Sequence, residues 1–95
     1  MTTLDSVAEK IIKEQELVIG PLAWSEAQKV QGLQVDSAKG AVVLAGANPK
    51  EAIDRLVAQY ERLFGRASHE VCREAAAPLL VGLSPTDIPT SLLAA

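Results

Sequence analysis

A chain of 95 residues, 48% hydrophobic and 22% charged, has room for one domain, and these proportions exclude disordered, collagen-like and multidomain readings. Its longest apolar runs, at 41–47 and 75–83, fall short of the roughly 20 residues that a membrane-spanning helix needs. A formal net charge of −3, with acids and bases interleaved along the chain, argues against general nucleic-acid binding, which rests on clustered Lys and Arg.

The first element runs from about 4 to 18. Leu4, Val7, Ala8, Ile11, Ile12, Val18 and Ile19 recur at helical spacing, while Glu9, Lys10, Lys13, Glu14 and Glu16 lie off that stripe. Gly20-Pro21 stops it. A second, short helix is expected to about Gln31, because Ser25 followed three residues later by Gln28 is a capping-box pattern. Gly32 would close it.

From Leu33 the period changes to two. Leu33 and Val35 alternate with Gln34 and Asp36, residues 37–40 read as a turn, and 41–45 form a β-branched apolar run, which together predict a β-hairpin. Two strands alone are marginal in water, so the hairpin must rest on helices or pair with another sheet edge.

Asn48-Pro49-Lys50-Glu51 starts a long helix: Asn48 can cap, Pro49 has φ already set, and Glu51 meets the positive end of the helix dipole. Ile53, Leu56, Val57, Tyr60, Leu63 and Phe64 give it one continuous apolar face, and Gly65 ends it. A small-residue helix follows over 67–77, with Pro78 as its end or kink. Residues 82–95 form an irregular tail, docked or flexible, holding the cap-like Ser84-Pro85-Thr86-Asp87 and then Leu92 and Leu93. The expected fold is thus a mostly helical α+β single domain with a central β-hairpin over residues 1–81, in the order helix, short helix, two strands, long helix, helix, tail.

Candidate chemistry is sparse. His69 and Cys72 lie one helical turn apart and could begin a metal site or a thiol–imidazole pair, but zinc needs three or four ligands, and no oxyanion loop or orienting third residue accompanies them. The usual arrangement for such a pair is a surface His beside a small, half-buried Cys. The loop Gly46-Ala47-Asn48 before Pro49 and Lys50 could hold an anion at a helix start, although one glycine is far from a phosphate-binding fingerprint and ordinary capping explains it better. A winged-helix reading would make 25–31 a DNA-recognition helix, yet it offers only Gln28, Lys29 and Gln31, with Lys39 on the hairpin turn.

No catalytic constellation, cofactor site or complete metal-ligand set is recognisable, so the chain reads as a non-catalytic interaction or regulatory module that forms a homodimer and contacts another protein. The residues expected at that contact are Trp24, Tyr60, Leu63 and Phe64, which include every aromatic in the chain, together with Leu92 and Leu93. A single cysteine excludes an internal disulfide, and Met1 to Asp5 carry no basic stretch leading into an apolar run, so the expected compartment is the cytoplasm.

Overall fold

A computed structural model describes residues 3–46 and 48–93; Met1, Thr2, Ala94 and Ala95 lie outside them, as does Ala47 of the loop considered above for anion binding. The chain is an α+β domain, mostly helical, with a two-stranded hairpin and four helices among the described residues. These are α1 (Thr3–Ile19), α2 (Leu22–Ala27), β1 (Leu33–Asp36), β2 (Ala41–Leu44), α3 (Pro49–Phe64) and α4 (Arg66–Leu80), followed by 3-10 turns at Pro85–Asp87 and Thr90–Leu92. Among the described residues no helix is long and apolar enough to cross a membrane.

Helix α1 is the spine. Its stripe, Val7, Ala8, Ile11 and Ile12, is fully buried and meets α4, α2 and β2. Helices α1 and α4 are antiparallel: Gln15 near the end of α1 bonds Ser68 and Cys72 near the start of α4, whereas Leu4 shares a cleft with Leu83 just past α4. Helix α3 closes the core with Ile53, Leu56, Val57 and Tyr60. Gly65 alone joins α3 to α4. Its φ of +88° is open to glycine at no steric cost, its N–H bonds Glu61 O at 2.8 Å, and its carbonyl accepts Ser68 N–H at 3.1 Å, so one residue both ends α3 and begins α4.

The hairpin expected from the alternation is present and antiparallel, with Leu33 opposite Leu44 and Asp36 opposite Ala41. Ala45 N–H adds one more rung to Gly32 O at 2.9 Å. Gly32 has φ of +93°, and a Cβ there would stand 3.1 Å from the Ala52 side chain, so its position on α3 needs both the backbone freedom and the missing side chain.

Four local expectations are corrected. The short helix begins at Leu22 rather than Ser25: the Gly20-Pro21 turn seeds it through Ala23 N–H to Gly20 O and Trp24 N–H to Pro21 O, so Ser25 lies inside the helix and caps nothing. Asn48 makes no side-chain cap; its amide donates to Glu51 at 3.0 Å, and only its carbonyl enters the helix ladder, accepting Ala52 N–H. Helix α4 passes through Pro78 to Leu80. Pro78 and Glu74, whose carbonyl loses its i→i−4 donor there, are both exposed, so water can replace the bond that proline removes. Finally, the apolar face of α3 is not continuous to its end, since Leu63 is exposed and Phe64 only partly buried.

The tail docks. Ser91 donates both its N–H and its hydroxyl to Asp54 Oδ1, at 3.0 and 2.6 Å, and Leu92 and Pro89 are buried beneath. Lys50 Nζ also reaches the tail, donating to Thr86 O.

Candidate functional site

The six residues expected at a partner surface do not share one. Tyr60 is fully buried, and its hydroxyl donates to Ala23 O at 2.7 Å, tying α3 to α2; burial pushes its ionisation well above the ordinary tyrosine range. Trp24 is buried beside the hairpin turn, where a Cβ at Gly40 would stand 3.9 Å from its ring. Leu92 anchors the tail in the core. Leu63 and Leu93 keep 46% and 37% of their surface in solvent, and Phe64 is partly covered. The scarce aromatics are therefore mainly core.

His69 and Cys72 face different tasks. His69 Nε2 lies 2.6 Å from Ser91 O and Nδ1 lies 3.3 Å from Glu61 Oε2, so both ring nitrogens are engaged in holding the tail and the α3–α4 corner. Cys72 is fully buried and its Sγ accepts the Gln15 amide at 3.3 Å; burial pushes the thiol up to about 11, with the Gln15 bond pulling partly the other way. Among the described residues no three His, Cys, Asp or Glu side chains gather in a metal-holding group.

The bases considered for DNA or anion binding are also occupied or scattered. Lys29 pairs with Glu26 at 2.9 Å, and Glu26 also accepts the Gln59 amide at 2.7 Å. These two bonds, Lys29 first, hold the Glu26 carboxyl below its ordinary range despite burial. Lys50 lines a cleft of about 640 Å³ together with Leu4, Asp5, Val43, Leu44 and Pro49, but its ammonium is turned onto Thr86 O.

Two surfaces stand out instead. The first is a groove of about 310 Å³ between α1 and α4, floored by Val71, Ala75 and Pro78 and overhung by Leu17 and Val18, which are 80% and 66% exposed. Lys10 and Glu14, paired at 2.9 Å, rim one side and Glu74 the other.

The second surface is the hairpin, whose two edges differ. On β2 the outward N–H groups of Val42 and Leu44 donate to Glu9 Oε1 at 3.3 Å and Asp5 Oδ1 at 3.0 Å. Glu9 and Asp5 are four apart on α1, so their carboxylates stand along the strand where a neighbouring strand's carbonyls would be, and they seal that edge. With 42 and 44 facing outward, and Gln34 and Asp36 facing their partners Val43 and Ala41, the outward backbone groups of β1 belong to Leu33 and Val35. Leu33 N–H turns back to Val30 O at 3.4 Å; Val35 N–H has no hydrogen-bond partner among the described residues.

Sequence reasoning placed Glu9 on a solvated face and missed Asp5, Gln15 and Glu26 altogether. The available signal was the i, i+4 spacing of Asp5 and Glu9 beside an apolar stripe, in a chain whose only predicted strands needed cover. No protein-family model, curated protein or solved structure matches the chain.

Proposed function

We propose that this chain is a non-catalytic interaction module, working in the cytoplasm, that self-associates as a homodimer and offers the α1/α4 groove to an amphipathic helix of another protein. The observation that carries this reading is the exposure of Leu17 and Val18 above the apolar floor of Val71, Ala75 and Pro78. Covering one such Leu or Val is worth about 1.5–3 kcal/mol, so a partner helix that buries both gains a usable fraction of a micromolar affinity from them. The charged rim of Lys10, Glu14 and Glu74 suits the polar flanks of that helix. The state of Cys72 and His69 supports a non-catalytic role, because a buried protonated thiol and a doubly engaged imidazole are not poised for nucleophilic or ligand chemistry.

Sedimentation velocity across about 10–500 µM tests the homodimer, at concentrations where small transient interfaces assemble. A shift from monomer to dimer is expected; a strict monomer throughout overturns that part. Leu17→Asp with Val18→Asp tests the groove: specific partners captured from the native cell should be lost, and an unchanged set overturns it.

A further inference from the structure

The hairpin is a two-stranded sheet with one edge closed and one open. Asp5 and Glu9 close β2, whereas on β1 the N–H of Val35 points away from the sheet with no acceptor among the described residues. Gln34 and Asp36 on either side of it are exposed, so solvent reaches this stretch of strand. An open edge is a template for another strand, and this one has no proline, no bulge and no lysine, its one charge being Asp36.

We propose that β1 is the contact through which the chain self-associates, with β1 of a second copy added antiparallel about a two-fold axis at Val35. This rests on the homodimer reading above and names its surface. In this register Val35 N–H donates to Val35 O of the second copy and the reverse bond forms with it, because Val35 is an outward-facing residue in both. Ser37 N–H, next on the outward side, meets the free carbonyl of Leu33. Gln34 of each copy then lies opposite Asp36 of the other.

That pairing is what commits the edge to a second copy. The Gln34 amide can donate to Asp36, whose Oδ1 already accepts Lys39 N–H at 3.2 Å and whose other oxygen is free to receive it. No like charges meet across the junction, since the axis at Val35 keeps Asp36 away from its own copy. The axis also preserves the faces. Leu33 and Val35, which pack against the core, stay on one side of the joined sheet, with Gln34, Asp36 and Val43 on the other. The order becomes β2-β1-β1-β2, closed at both ends by the α1 carboxylates, so association stops at two copies.

The test uses the full chain in three forms, wild type, Val35→Pro and Leu17→Asp, by sedimentation velocity at about 10–500 µM, together with residue-resolved amide exchange of the wild type. Val35→Pro removes an N–H that the isolated domain does not use, and proline is tolerated where a strand's N–H faces outward. At least a tenfold weaker dimer in Val35→Pro, with Leu17→Asp unchanged, is the expected result. Exchange at Val35 and Ser37 should slow as concentration rises while that of Gln34 and Asp36, already bonded to β2, stays constant. Should Val35→Pro lose its helical circular dichroism, this exchange pattern decides alone, and concentration-independent exchange at Val35 overturns the proposal. A wild-type monomer overturns both this proposal and the homodimer reading; a dimer weakened by Leu17→Asp but not by Val35→Pro overturns the β1 contact alone. A monomer whose Val35 amide is protected only by another protein's extended segment also overturns it.

Discussion

The carboxylate of Asp5 accepts the backbone N–H of Leu44 at 3.0 Å, and this bond joins the first turn of α1 to the end of β2 across 39 residues of chain. It converts a strand edge into an internal surface without a third strand. Asp5→Ala should therefore remove about 1–3 kcal/mol of stability in urea unfolding, the range for a hydrogen bond to a charged acceptor whose donor is left partly buried. Glu9→Ala, with a longer bond of 3.3 Å and more exposure, should lose less. The double variant opens the second edge, so light scattering should register species larger than a dimer.

Tyr60→Phe keeps the ring and removes one hydroxyl. The Ala23 carbonyl loses the 2.7 Å bond inside the core, and the expected loss is about 1–2 kcal/mol at unchanged urea m-value. A variant as stable as the parent would mean that Ala23 O finds another donor.

Cys72 should be inert in the folded chain. With its thiol pushed up to about 11, roughly one molecule in a thousand carries the thiolate at pH 8, and burial blocks the reagent as well. Reaction with an aromatic disulfide at about pH 8 should be at least a hundredfold slower in buffer than in urea. Because the folded value lies above the ordinary 9.0, the contribution of Cys72 to stability is intact below about pH 9 and is lost as pH rises through 11.

Glu26 acts in the opposite direction. Lys29 and Gln59 lower its folded value below the ordinary 4.5, so its contribution is present above that value and lost as pH falls through the folded one. The urea midpoint of the wild type should fall between about pH 6 and pH 3, and that of Glu26→Gln should fall less. Equal slopes would show that Glu26 does not couple protonation to folding.

Gly32→Ala should be destabilising by about 1–3 kcal/mol, since the backbone is in the left-handed region and the added Cβ is forced to within 3.1 Å of the Ala52 side chain. Gly32→Ala combined with Ala52→Gly should recover only the steric part. Thermal unfolding of the pair separates strain from crowding.

Much of the secondary structure is local and was legible in the chain. Pro49 and Gly65 bound α3 because each restricts or frees φ by itself, and the period-two pattern of 33–36 and 41–44 marks the hairpin because strand side chains alternate by geometry. The fold class follows from those periods. What lay beyond the sequence is which position on a stripe is covered and which polar group meets which. Tyr60 and Leu63 read alike on α3, yet Tyr60 is buried with its hydroxyl on Ala23 O of α2, and Leu63 meets solvent. Helix α4 runs past 77, through Pro78 to Leu80, and Glu74, whose carbonyl loses its donor to the proline, is an exposed residue. Asp5 and Glu9 are two ordinary surface acids until α1 lies along β2, and they become strand caps only through contacts 39 and 33 residues away. Local sequence determines dihedral preference and periodicity; only the assembled domain decides burial and the closing or opening of an edge, because both depend on neighbours distant in the chain.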